Sequence, residues 1–157
     1  MKKAARILAA LAALAILAGC SGEKRRVPTV GDVSGTALTE DAPITMEVTD
    51  ESVARSASSV SLRVTNRSDE TYSFAPDYTL EIFSDGEWHS LDAAPRNFEI
   101  CWAVSSYDVP ADSAVDATAW LEVYGNRFKR GTYRVVREFW SEEGAGTVWV
   151  AAEFAIK

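Results

Sequence analysis

Residues 78–91 read Tyr78-Thr79-Leu80-Glu81-Ile82-Phe83-Ser84-Asp85-Gly86-Glu87-Trp88-His89-Ser90-Leu91. Tyr78, Leu80 and Ile82 alternate with Thr79 and Glu81, the period of two expected of a half-buried strand, whose successive side chains leave opposite faces. Asp85-Gly86 supplies the turn, because a tight hairpin asks its central residues for a positive φ that Asp tolerates and Gly adopts freely. Trp88 and Leu91 follow in the returning strand. The same period runs outward in both directions. It is carried by Ile44, Met46 and Val48; by Val60, Leu62 and Val64; by Phe98, Ile100, Trp102 and Val104; by Val115, Ala117, Ala119, Leu121 and Val123; by Tyr133, Val135 and Phe139; and by Val148, Val150, Ala152, Phe154 and Ile156. Helical periodicity is absent beyond the first twenty residues, and β-branched and aromatic residues fill the runs. Seven or eight short strands separated by turn residues suit an all-β antiparallel sandwich better than a barrel. Val60, Leu62, Val64, Leu80, Ile82, Trp88, Tyr133 and Val135 are expected to point inward.

The N-terminus has a different composition. Lys2, Lys3 and Arg6 precede an unbroken apolar run from Ile7 to Ala18, the layout of an export signal. A permanent span needs about 20 apolar residues, so this run is too short to be one. Leu17-Ala18-Gly19-Cys20 resembles the lipobox of bacterial lipoproteins. The resemblance implies that the Cys20 thiol receives a diacylglyceryl group and that cleavage leaves Cys20 as the first residue. The expected organisation is a signal peptide over 1–19, a lipidated cysteine and flexible tether over 20–43, rich in Gly, Pro, Ser and Thr, and one domain over 44–157. Lys24-Arg25-Arg26 reads as the solvated start of the tether, the other reading being a lipid-facing role for these cations. Losing residues 1–19 removes three cations and no acid, leaving 13 Lys and Arg against 23 Asp and Glu, a net charge of about −10. Such a surface disfavours nucleic acid and anionic lipid headgroups as partners, and membrane contact is expected through the lipid anchor alone.

A second resemblance covers roughly residues 44–140. Asn66 at a strand end, Tyr78-Thr79-Leu80-Glu81, Asp85-Gly86-Glu87-Trp88, the proline-led Val109-Pro110-Ala111-Asp112, Val123-Tyr124-Gly125 and Gly131-Thr132-Tyr133-Arg134 follow one another at the spacing seen in a family of bacterial immunoglobulin-like domains. The resemblance implies an immunoglobulin-like β-sandwich, a fold found often on lipoproteins, more than it implies an activity.

Catalytic and metal chemistry find little support. His89 is the lone histidine, and no nucleophile motif accompanies it. The acid pairs Glu40-Asp41, Asp69-Glu70 and Glu142-Glu143 lie in turn-like segments without ligand spacing, so neither a metal nor a cofactor is expected. Cys101 is the second cysteine of two. With Cys20 acylated it reads as a small buried hydrophobe, the other reading being a free thiol. Trp120 and Trp149 fall out of phase with the apolar face of their strands. They are the candidate partner-binding residues, and packing beneath a loop is the competing reading. The function expected is a non-catalytic lipoprotein of the cell envelope, anchored to the cell or outer membrane with its domain outside the cytoplasm, binding or spacing an envelope protein or glycan. The second reading is an accessory subunit or inhibitor of an envelope enzyme or transporter.

Replacing Cys20 with Ala should block acylation and leave unprocessed precursor. Mass spectrometry of the mature N-terminus after detergent partitioning checks this, and an unlipidated chain beginning elsewhere would contradict it.

Overall fold

A computed structural model describes residues 24–93, 105–141, 144 and 146–157. Among the described residues there are ten strands, in chain order β1 (Thr29–Val33), β2 (Ile44–Val48), β3 (Val60–Asn66), β4 (Tyr72–Phe74), β5 (Thr79–Ser84), β6 (Glu87–Asp92), β7 (Tyr107–Val109), β8 (Ala114–Ala119), β9 (Gly131–Ser141) and β10 (Thr147–Ile156), and a 3-10 turn at Leu121–Val123. The larger sheet runs β1-β6-β5-β9-β4-β7, with β10 also pairing β9, and the smaller runs β2-β3-β8. Every strand pair is antiparallel, as the alternation predicts. The Asp85-Gly86 hairpin has its expected positive φ values, 54° and 88°.

The core lies between the sheets. Val60, Leu62, Val64, Leu80, Ile82, Tyr133 and Val135 are buried as expected, and so is every second residue of β10 from Val148 to Ile156. Burying one such side chain contributes about 1.5–3 kcal/mol. Within the larger sheet Tyr133 of β9 is stacked on its cross-strand neighbour Phe154 of β10 at 5.8 Å and lies edge-on to Phe128 of the β8–β9 connection at 6.1 Å. Trp88 departs from the expectation. It pairs across the strands with the exposed Phe83, so it stands half-buried on the outer face, over the Arg134 guanidinium at 4.3 Å. Beneath it the buried Glu81 and Arg134 form an ion pair, and Ser34 Oγ donates to the same carboxylate. A buried pair needs its remaining polar atoms covered, and Trp88 supplies part of that cover.

Residues 24–43 are not the free tether that their composition suggests. β1 adds an outer strand to β6. Ahead of it, the Arg26 N–H donates to Asn126 Oδ1 at 2.7 Å, and the Arg26 carbonyl accepts from the Asn126 and Arg127 N–H groups. Asn126 Nδ2 also donates to the Lys24 carbonyl at 3.1 Å. Gly125 lies so close below that a Cβ there would stand 2.6 Å from the Arg26 oxygen. Further on, Thr39 and Trp149 exchange two hydrogen bonds. The chain is therefore tied to the sandwich from Lys24 onward. The expected strand over 98–104, Cys20 and Cys101 lie outside the described residues.

Asn66 ends β3 fully buried. Its amide donates to the carbonyls of Glu70, Val109 and Pro110, and its oxygen accepts from Ser68 N–H and Oγ. One side chain thus fixes the β3–β4 turn against the end of β7. Replacing Asn66 with Ala should lower the unfolding free energy by about 2–4 kcal/mol, the cost of stranding several buried partners. Asn66→Asp should not restore it, since a carboxylate cannot donate. Urea unfolding measures both, and near-wild-type stability of either variant would refute this role.

Candidate functional site

The two sheets part along one side, where β4 and β7 of the larger sheet face β8 of the smaller. A groove of about 620 Å³ runs there, walled by Phe74, Tyr107, Val115, Ala117 and Trp120 together with Asp108, Asp116 and Thr118, and Arg137 lies at its inner end. The strand period explains the arginine. Tyr133, Val135, Arg137 and Phe139 occupy alternate positions of β9, so Arg137 enters the interior with the apolar set and is 2% exposed. Its Nη1 donates to the Ala75 carbonyl at 2.8 Å and its Nη2 to the Thr118 carbonyl of β8 at 3.1 Å. The guanidinium lies 5.1 Å from the Phe74 ring centre and 5.0 Å from that of Tyr78. Nε is buried without a hydrogen-bond partner. Burial pulls the Arg137 pKa down from 12.5, a shift opposed by Tyr78 and the Asp77 carboxylate.

Two large aromatics stand on the lips. Tyr107 is 53% exposed and Trp120 49%. Tyr107 is backed by Phe74 at 5.5 Å, itself 5.3 Å from Phe139. Trp120 follows the last residue of β8 in extended conformation and leads into the 3-10 turn. Its carbonyl accepts from Tyr78 Oη at 2.7 Å, and Tyr124 Oη donates to the Tyr78 carbonyl at 2.8 Å while accepting the Leu80 N–H at 3.1 Å. The backbone at Trp120 is therefore fixed while its side chain is presented to solvent.

Trp149 lies elsewhere. It is half-buried on β10, in a smaller depression of about 200 Å³ that it shares with Trp140, Asp77 and Thr79. The two tryptophans singled out by phase thus occupy separate sites, and only Trp120 belongs to the groove. His89 is half-buried in β6, its Nδ1 3.3 Å from the Gly31 carbonyl. Among the described residues no group of three or more His, Cys, Asp or Glu side chains could hold a metal ion. Sequence reasoning passed over Tyr107 and Arg137. The signal for Arg137 was its place in the inward phase of β9. Tyr107 sits in a three-residue strand too short to show a period.

Three buried tyrosines, Tyr78 and Tyr124 behind Trp120 and Tyr133 against Phe128 and Phe154, give the fold a pH signature. Desolvation by burial is the leading cause that raises the phenol pKa of Tyr78, Tyr124 and Tyr133, to about 12 for the latter two and further for Tyr78. An unfolded phenol titrates near 10, so the folded state favours the neutral form. That stabilisation is complete below pH 10 and is lost as pH rises through about 12, at up to about 1.4 kcal/mol per pH unit per tyrosine. Urea unfolding should show a steep loss of stability from pH 10 to 11, less steep in Tyr124→Phe. Equal stability at pH 8 and pH 11 would rule this out.

Residues 40–155 match the model of a bacterial Ig-like domain. No curated protein matches the chain significantly. Among solved structures the chain is similar to one described as the X-ray structure of Northeast Structural Genomics Consortium target SoR45, with 15% identity, a TM-score of 0.47, and coverage of 75% of this chain and 88% of that one. With a family model matched over well more than half its length, on a sandwich of two antiparallel sheets, this chain belongs to the bacterial Ig-like domain family.

Proposed function

We propose that this chain is a non-catalytic lipoprotein of a bacterial cell envelope, held by an acylated Cys20, and that its Ig-like sandwich binds an envelope protein or glycan through the groove between β7 and β8. The observation that carries the binding role is the pairing of Tyr107 and Trp120, both about half exposed, across one groove that joins apolar walls to the carboxylates of Asp108 and Asp116, its backbone at Trp120 fixed from behind. Solvent-facing aromatics of this size lose stabilising burial unless something covers them, and a Trp or Tyr face suits a sugar ring or an apolar side chain equally well. The basic start, the short apolar run and Leu17-Ala18-Gly19-Cys20 support the anchor.

Capture of envelope components on the immobilised mature protein tests this reading. Trp120→Ala and Tyr107→Ala should each lower capture tenfold or more, as loss of a central interface aromatic does, while the melting midpoint moves little. Trp149→Ala, which removes a half-buried ring, should instead cost about 1–3 kcal/mol of stability. Undiminished capture by both groove variants would remove the groove from the function.

A further inference from the structure

The way the chain enters the fold bears on how an anchored domain would sit. Lys24 is already tied to the sandwich through its carbonyl, and Arg26 is held on both sides by Asn126 and Arg127. Only residues 21–23 separate Lys24 from Cys20. Four peptide units reach at most about 14 Å when fully extended. An acylated Cys20 lies at the bilayer surface, so the end of the sandwich that carries Lys24 stays within that reach. It cannot stand off by the tens of ångströms that a twenty-residue tether would allow.

That end is basic. The staple brings Lys24-Arg25-Arg26 beside Asn126-Arg127, and Lys129 and Arg130 follow directly. Together they make six of the 13 cations downstream of residue 19, with no acid inside either 24–26 or 127–130. Lys24, Arg25, Lys129 and Arg130 are exposed. On the same side the Arg55 Nε donates to the Phe128 carbonyl at 2.8 Å, and the Phe128 N–H donates back to the Arg55 carbonyl. Two acids adjoin this end, Glu23 next to Lys24 and Glu122, whose carbonyl accepts from Arg26 Nη1 at 3.4 Å; the seven remaining downstream cations share the rest of the molecule with the other 21 acids, so positive charge is concentrated beside the anchor. Exposed charges act over roughly 8–10 Å at physiological salt, comparable to the reach just derived. We infer that this basic end, formed by Lys24, Arg25, Arg127, Lys129 and Arg130, docks against the anionic lipid headgroups of the membrane that carries the anchor. The docking fixes the domain's orientation. It rests on the reading of Cys20 as acylated, and it replaces the expectation that the anchor alone would touch the membrane.

The test uses the acylated mature protein carrying Cys101→Ser, bound to vesicles of pure phosphatidylcholine or of phosphatidylcholine with about one third phosphatidylglycerol. A fluorophore is placed on Ser56→Cys, beside Arg55, or on Arg67→Cys, at the far end of β3. Quenching by a headgroup nitroxide lipid reports proximity to the bilayer. On anionic vesicles at 50 mM salt, quenching at position 56 should exceed that on neutral vesicles at least twofold. It should fall to the neutral value at 500 mM salt and in the variant carrying Lys24→Glu, Arg25→Glu, Lys129→Glu and Arg130→Glu. Position 67 should stay unquenched throughout. Flotation with the vesicles separates the two layers of the inference. Protein that floats with both compositions but shows equal quenching at position 56 overturns the docking while keeping the anchor. Protein that floats with neither overturns the anchor and the docking with it.

Discussion

One side chain spans the gap between the sheets on the open side of this sandwich. Arg137 leaves β9, gives one N–H to Ala75 just after β4 and another to Thr118 in β8. It thereby connects the larger sheet to the outermost strand of the smaller one, across a line where no backbone ladder runs. Removing a guanidinium from water costs several kcal/mol. Two charge-assisted hydrogen bonds and the faces of Phe74 and Tyr78 offset that cost. Arginine suits the position because its planar fork reaches two carbonyls at once while its charge persists despite burial. The separation of β4 and β8 then follows from the span of the fork, and so does the width of the groove.

Other irregular parts of the fold depend on the same device, a buried polar group whose partners come from distant segments. Asn66 gathers the β3–β4 turn and the end of β7. Tyr78 and Tyr124 fix the chain leaving β8 against the start of β5. Glu81 and Arg134 hold the outer face of the larger sheet beneath Trp88 and Ser34. Each is a network that is expensive when half satisfied and specific when complete. Apolar contacts alone would hold the sheets together without fixing where the loops run.

β1 has a comparable effect on an edge. It covers β6, which would otherwise present unpaired backbone groups along a sheet margin, and such margins invite pairing between chains. Its own pairing is irregular between Val30 and Val33, and a break in register makes the new edge a poor template for a further strand. The segment that leads in from the N-terminus is thus part of the sheet.

The alternation of Tyr78, Leu80 and Ile82, the Asp85-Gly86 turn and the inward sets of β2, β3, β9 and β10 were legible in the sequence. Side-chain direction in a strand is a local property with a period of two, and a one-sided sheet makes burial follow it. β4 escaped notice because Tyr72, Ser73 and Phe74 are all buried, so a strand covered on both faces shows no alternation. β1 looked like tether because its residues are mostly exposed and its stability comes from a partner more than fifty residues away. Phase placed Trp88 inward and left Arg137 unremarked. Which face of a strand is buried, and what covers the other, depends on neighbours that only the folded chain supplies. The sequence by itself determined the two-layer class and most of the core. Tertiary structure decided the groove, the separation of Trp120 from Trp149, and the docking of Lys24–Arg26 on Asn126–Arg127, because each rests on contacts between segments that no local period relates.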